Sequence, residues 1–206
     1  MAAIDETSRR RGPYRKTEAR RRDIIAAAQQ VFASTGYRAG SLRDIGTVAG
    51  IDPSSILHHF PTKEALLEAV LEDKEKHDFE VLPALDDVDP HLVPRAMLEL
   101  AERNSRVPHM IALYAILSAE STTAGHPSAD YFRQRSERTR RDFRLLFQRM
   151  ADAGLLADGV DVDYAATSTF AIWDGIQIHW LIEPDAVSVP ETLRRHLRLI
   201  TRVHNP

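Results

Sequence analysis

The chain has 206 residues, of which 43% are hydrophobic and 28% charged, the balance of one large globular domain or two small ones. It has no cysteine, so disulfides, zinc–thiolate centres and thiol redox sensing are excluded. The net charge of −3 hides a division: residues 1–63 sum to +5 and the remainder to −8, which makes the N-terminal end the part suited to a polyanion.

The first residues, 1–14, read as a flexible basic arm. Asp5, Glu6 and an arginine cluster appear there with no apolar run behind them, so the segment is neither a signal peptide nor a membrane anchor. Arg9, Arg10, Arg11, Arg15, Lys16, Arg20, Arg21 and Arg22 lie just before and within a first helix, whose apolar stripe is Ile24, Ile25, Ala28, Val31 and Phe32.

Ser41 to Leu67, SLRDIGTVAGIDPSSILHHFPTKEALL, is the most informative stretch. Ser41 is a good N-cap, and Asp44 three residues later can reach back to the freed amides, which predicts a helix from Leu42. Leu42, Ile45, Val48 and Ala49 recur at helical spacing and mark its expected buried face. Gly50 supplies the left-handed stop. Asp52 followed by Pro53 restarts a helix after a turn of about three residues, the spacing of a helix-turn-helix. Ile51 and Ile56 are expected to lock the second helix of this pair onto the first. Ser54, Ser55 and His58 are left facing outward. Pro61 and Thr62 then stop that helix and cap the next, which opens with Lys63. A cation in a first turn opposes the macrodipole unless an anion lies close, and a nucleic-acid phosphate is such an anion. Beside a helix-turn-helix, the arginine cluster is expected to follow a phosphate backbone, with binding driven by counterion release.

These residues resemble the tetracycline-repressor (TetR) family of bacterial transcriptional regulators. The family pattern has a first helix ending in an apolar-Phe, Gly, aromatic run, here Val31 to Tyr37. A Ser-capped second helix, an Ala-Gly turn, a recognition helix ending in an aromatic pair and a Lys-Glu-Ala-Leu start follow, here Ser41, Ala49-Gly50, His59-Phe60 and Lys63 to Leu66. The resemblance spans roughly residues 16 to 70. Leu57 stands where the family usually has tyrosine, which removes an expected hydroxyl contact to phosphate. Gly46 replaces a small alanine, costing up to ~1 kcal/mol of helix propensity while permitting closer helix packing. On this reading, Arg43, Ser54, Ser55, His58 and His59 contact DNA directly, and Lys16 and Lys63 meet phosphate.

The rest of the chain reads as helices, giving an all-α fold. Ala65, Leu66, Ala69 and Val70 begin the stripe of a fourth helix running toward Phe79. Prolines at 83, 90, 94 and 108 punctuate the next stretch, with helices expected over about Leu92–Ser105 and Pro108–Ser121. A long helix follows over about Ser128–Ala153, then one from an Asp161 cap to Ile182, and a last one from Pro190 to Val203. Three domains result: the arm 1–14, a DNA-binding domain 15–62, and a helical effector-binding and dimerisation domain 63–206. Arg133, Arg135, Arg138, Arg140, Arg141 and Arg144 on the long helix are interspersed with Glu137 and Asp142, which marks an ion-paired solvent face.

Phe170, Trp173, Ile176 and Trp180 make one stripe while Ile172, Ile178 and Leu181 fall elsewhere, so this helix needs a cover beyond its own domain. A second copy supplies it in the expected arrangement, with Leu193, Leu197 and Ile200 completing a four-helix bundle across a two-fold axis. The resemblance likewise makes the last two helices a homodimer interface, and two symmetric recognition helices imply a pseudo-palindromic double-stranded operator.

The resemblance also implies a pocket for a small-molecule effector among the middle helices. Met97, Leu100, Met110, Tyr114, Leu117, Phe143, Phe147 and Trp173 are the candidate wall, and Asn104, Glu120, Asp174 and Gln177 the candidate polar anchors. The acidic anchors point to a cationic or hydroxylated effector. The family mechanism then has the effector tilt the fourth helix and change the separation of the recognition helices, releasing a repressor.

No cofactor or metal is expected. No glutamate has a histidine three residues on, and HExxH, GxSxG and phosphate-cradling glycine loops are absent. The longest apolar run, near Tyr164 to Ile182, is interrupted by Asp174 and His179, so a cytoplasmic protein without membrane contact is expected. The competing readings are an all-helical adaptor and a helix-bundle enzyme, both without DNA binding.

Overall fold

The computed structural model describes the backbone of residues 7–79 and 89–203, and the side chains of 17–76 and 89–203. The side chains of the N-terminal arm, and that of Lys16, lie outside the described residues. The chain forms two compact units, Met1–Asp73 and Lys74–Pro206, a division that falls inside the fourth helix.

In the first unit, α1 (Thr7–Ala39) is interrupted at Gly36 (φ 79°, ψ 160°). It is followed by α2 (Leu42–Ala49), α3 (Pro53–His59) and α4 (Lys63–Phe79). The caps form as their chemistry dictates. Ser41 Oγ accepts from the Asp44 amide at 3.1 Å while Asp44 accepts from the Ser41 amide at 3.0 Å, a reciprocal capping box that satisfies two orphan donors. Asp52 accepts from the Ser54 amide at 2.8 Å, and Thr62 Oγ1 from the Ala65 amide at 3.1 Å. Ile24, Phe32, Ile45, Ile56, Leu66 and Leu67 are buried in this unit and supply its core. Each such side chain stabilises the fold by about 1.5–3 kcal/mol.

The turn between α2 and α3 depends on two glycines. Gly50 closes α2 in the left-handed region at φ 66°, ψ 36°. Gly46 lies one turn earlier, and a Cβ there would stand 2.6 Å from the carbonyl oxygen of Ile51. The glycine is what allows the returning chain to close on α2. It also turns the buried face: Ile45 and Gly46 are buried and Leu42 and Ala49 half-buried, whereas Val48 is 46% exposed. Val48 therefore departs from the expected stripe, because drawing Gly46 inward leaves it about a third of a turn off the buried centre. Ile56 is fully buried as expected, and Ile51 only half so.

In the second unit a 3₁₀ turn (Pro90–Leu92) leads into α5 (Val93–Asn104), α6 (Pro108–Glu120), α7 (Ala129–Asp152), α8 (Val162–Ile182) and α9 (Val189–Ile200). Helix α8 packs against α6, α7 and α9, and α9 against α5. Met97, Phe147, Met150, Trp173, Leu193 and Leu197 belong to the shared core.

Two expectations change here. The stripe Leu193, Leu197 and Ile200 is buried within the chain itself, so it is not the surface left for a second copy. Helix α9 also ends at Ile200 rather than Val203. Thr201 turns extended and bridges Leu156, while Arg202 donates its amide to Leu155.

Candidate nucleic-acid interface and ligand cavity

Helix α3 is pinned from beneath. Ile56 and Phe60 are buried, and the Arg21 guanidinium donates to the His59 carbonyl at 2.7 Å while lying 4.2 Å from the Phe60 ring centroid. Arg21 thus satisfies a C-terminal carbonyl of the short helix and packs on its last aromatic, a positioning role that the sequence had merged into a general basic cluster. The outer face presents Ser54, Ser55, Leu57 and His58 to solvent, with His59 half-buried.

Arg20, Ile51, Ser54, Ser55, His58 and His59 line a cleft of about 420 Å³ on this face. Ser54 Oγ donates to Asp52 at 2.6 Å and is partly committed to the cap. The hydroxyl of Ser55 has no protein partner among the described residues. The His58 and His59 rings meet edge to face at 5.5 Å. Partial burial pushes the His59 imidazole below its usual range, and the charges of His58, Arg21 and Arg20 push the same way. Arg43 stands exposed on α2. A convex helix with hydroxyl and imidazole groups outward and guanidinium groups beside it is equipped to read base edges and hold phosphates.

Lys63 has a second occupation. Its ammonium donates to the main-chain carbonyls of Tyr37 and, at 3.4 Å, Arg38, and lies 4.5 Å from the Tyr37 ring centroid. These carbonyls lie just beyond the kink at Gly36, so the cation that opposes the α4 dipole is offset by main-chain acceptors at the end of α1. Burial holds the Lys63 amine below its usual range, with Glu64 opposing. The Tyr37 hydroxyl bonds Glu64 at 3.1 Å, which fastens the same junction. Two of the three ammonium donors are engaged within the protein.

A cavity of about 290 Å³ lies in the second unit. Of the expected residues, Asn104, Tyr114, Trp173, Asp174 and Gln177 line it. The others sit elsewhere. Leu117 and Phe147 are fully buried, Met97 belongs to the core, and Leu100 packs against that core. The Phe143 ring lies 6.0 Å from Phe170, Glu120 lies 3.7 Å from His126, and Met110 is half-buried outside the wall. Their helical spacing is that of a core, which periodicity alone does not distinguish from a cavity wall.

Apart from Asp174, sequence reasoning missed the charged part of the wall. Lys74 and Glu75 come from the end of α4, and Phe132 and Arg135 from α7. Lys74 donates to Asn104 at 3.0 Å, and Glu75 pairs with Arg135 at 3.3 Å and Arg138 at 2.9 Å. The guanidinium of Arg135 lies 5.2 Å from the Tyr114 ring centroid, and the Tyr114 and Tyr131 hydroxyls are 3.2 Å apart. Burial pushes the Tyr131 phenol up, assisted by Tyr114. Arg135 and Arg138 are therefore partners of α4, while Arg133 and Arg141 make the expected surface pairs with Glu137 and Asp142, and Arg144 pairs instead with Asp163 at the start of α8. Asp174 stands at the rim, and its carboxyl is raised by burial against the opposing pull of Arg135. Gln177 is buried beside it, and its amide nitrogen has no hydrogen-bond partner among the described residues.

Among the described residues, no group of three or more His, Asp or Glu side chains is placed to hold a metal ion, and no helix is long and apolar enough to cross a membrane.

A helix-turn-helix unit followed by a cavity-bearing helical unit defines a DNA-binding transcriptional regulator. Residues 24–70 match the family model for bacterial regulatory proteins of the tetR family, and residues 95–202 match that of the BetI-type transcriptional repressor C-terminal region. The chain belongs to the TetR family of transcriptional regulators, which are DNA-binding proteins and not enzymes. It is 28% identical over 181 residues to the regulator TtgR of Pseudomonas putida, covering 82% of this chain and 83% of that one. Among solved structures, a regulator from Saccharomonospora viridis in complex with choline superposes with a TM-score of 0.73 at 24% identity, covering 88% of this chain and 97% of that one. SmeT of Stenotrophomonas maltophilia, solved with triclosan, gives 0.76 at 21% identity, covering 91% and 98%.

Proposed function

We propose that this regulator is a homodimeric repressor in the cytoplasm, released from a pseudo-palindromic operator when a small molecule occupies the cavity. The observation that carries this reading is that one helix, α4, takes part at both ends. Its first residue is Lys63, beside the recognition helix in sequence, and its later residues Lys74 and Glu75 line the cavity. An effector that binds better when α4 is displaced shifts the population away from the DNA-competent state. Neighbours of the same fold hold choline and triclosan, and the C-terminal family model is that of a repressor, which supports ligand response and repression.

On this reading Arg43, Ser54, Ser55, His58 and His59 face base edges and sugar, Lys16 and the third donor of Lys63 face phosphate, and residues 1–14 act as a basic arm. Dimerisation uses the outward apolar side chains of α8 and α9. Tyr164, Ile178, Ile182 and Leu199 are 58%, 45%, 68% and 76% exposed, which leaves an apolar surface for a second copy to cover. Two recognition helices would then address half-sites about one helical turn apart or slightly more.

A gel shift on the DNA upstream of the protein's own gene tests the reading, with and without substrates of the neighbouring gene products. A salt-sensitive complex that dissociates with one of them is expected. A complex indifferent to every such compound contradicts ligand release, and no complex at all contradicts the operator.

A further inference from the structure

The charged groups of the cavity wall balance. Lys74 and Arg135 face Glu75 and Asp174, and Glu75 is already held by two guanidinium groups. Lys74 is bonded to Asn104, and the field of Arg135 reaches Asp174. A charged guest would add a whole charge to a set that is already neutral, at a desolvation cost that grows as water leaves the site. Of the two acidic anchors that pointed from sequence to a cationic effector, Glu120 lies outside the wall, and Asp174 is answered by the field of Arg135, which sequence had not placed there.

One polar group in that wall remains unanswered. Gln177 is 9% exposed, lines the cavity, and has a buried amide nitrogen without a hydrogen-bond partner among the described residues. A buried amide donor left unpaired costs the fold free energy, and an apolar residue of similar size would avoid that cost. Trp173 and Phe132, which also line the cavity, supply a flat apolar body with surfaces to pack on. Asp174 lies one helical turn before Gln177 on α8, so an acceptor and a donor stand side by side on one helix face.

We propose that the effector is an uncharged, flat molecule that pairs a hydrogen-bond acceptor with the Gln177 amide and a neighbouring N–H or O–H donor with Asp174, as an aryl carboxamide or a related donor–acceptor group does. This rests on the reading of the chain as a ligand-responsive regulator and narrows the chemistry of its cavity.

The test uses the full-length protein and three probes of one ring size: benzamide, benzylammonium and benzoate. Binding is followed by Trp emission and by thermal unfolding. Benzamide is expected to raise the unfolding temperature of the wild type more than either ion does, and Gln177→Leu to weaken benzamide by about tenfold. Without probe, the same variant is expected to unfold a few degrees higher than wild type, because the unpaired donor is gone. Asp174→Asn, which keeps the shape, is expected to weaken benzamide without restoring benzylammonium. A lower unfolding temperature for ligand-free Gln177→Leu would show that the amide is already satisfied and overturn the proposal. So would stronger binding of either ion, or no response to benzamide at millimolar concentration. Operator binding is measured separately. Benzamide that binds without releasing DNA contradicts the release mechanism and leaves the ligand class standing.

Discussion

The ammonium of Lys63 donates to the main-chain carbonyl of Tyr37, so the first residue of α4 caps the end of α1. Hydrogen bonds to a charged group contribute about 1.5–3 kcal/mol, less where solvent reaches them. Lys63→Met keeps the stem and removes the charge. Chemical denaturation should show the DNA-binding unit destabilised by about 1 kcal/mol or more. If the remaining ammonium donor also meets phosphate, the salt dependence of operator binding falls by about one unit of slope. A loss of stability with an unchanged slope assigns Lys63 to the α1–α4 junction alone.

Gly46 is required by proximity and not by its dihedral angles. Alanine would gain helix propensity of up to ~1 kcal/mol but place its Cβ 2.6 Å from the Ile51 carbonyl oxygen. Overpacking of this kind costs about 1–3 kcal/mol, so Gly46→Ala should lower the unfolding midpoint and weaken operator binding together. A more stable variant would show that the α2–α3 turn relaxes freely.

His196 is expected to make the second unit sensitive to acid. Thr169 Oγ1 donates to the Ala165 carbonyl at 2.7 Å, so His196 Nε2, 3.0 Å from the same oxygen, must be the donor of that bond. Burial lowers the His196 pKa below its ordinary value of 6.5. Below that value the unfolded chain binds more protons than the folded one. The contribution is therefore whole above the unfolded pKa and is lost as pH falls through the folded one. Urea unfolding at falling pH should show a decline that His196→Gln flattens. Equal slopes in the two proteins would count against this assignment.

The recognition helix carries its own titration. The His59 pKa is depressed by partial burial and by the neighbouring His58, Arg21 and Arg20, which favours the neutral ring in the free protein. DNA phosphates would favour the protonated ring, and binding would then take up a proton. Operator affinity at fixed salt should rise as pH falls through the histidine range, and His59→Gln should remove part of that rise. A pH-independent affinity in the wild type would count against a protonation of His59 on binding DNA.

The helix-turn-helix was legible because its determinants are local. Ser41, Asp44, Gly50, Asp52, Pro53 and Thr62 each act within four residues, and the structure places every one of those caps and turns as read. Val48 was misplaced because the inward turn of Gly46 depends on the returning Ile51 carbonyl, which no periodicity encodes. The cavity was half legible. Tyr114, Asp174 and Gln177 carry polar groups on the apolar helices α6 and α8, a visible mismatch, and Trp173 and Asn104 fall beside them. Lys74, Glu75 and Arg135 look in sequence like ordinary surface charges. Only the packing of the second unit brings Glu75 to Arg135 and Arg138, 60 and 63 residues away. Leu193 and Leu197 show the converse, an apolar stripe equally suited to a partner or to the chain's own core.

The most direct test is the binding of the full-length protein to labelled DNA from its own upstream region, followed by anisotropy against a shuffled duplex across a salt series. The account predicts binding to the upstream duplex at least about 10³-fold tighter than to the shuffled one, a steep loss with salt, and a specificity ratio reduced by Ser55→Ala with His58→Ala. Equal affinity for both duplexes, or a ratio untouched by that double variant, would contradict the assignment of α3 as the helix that reads DNA.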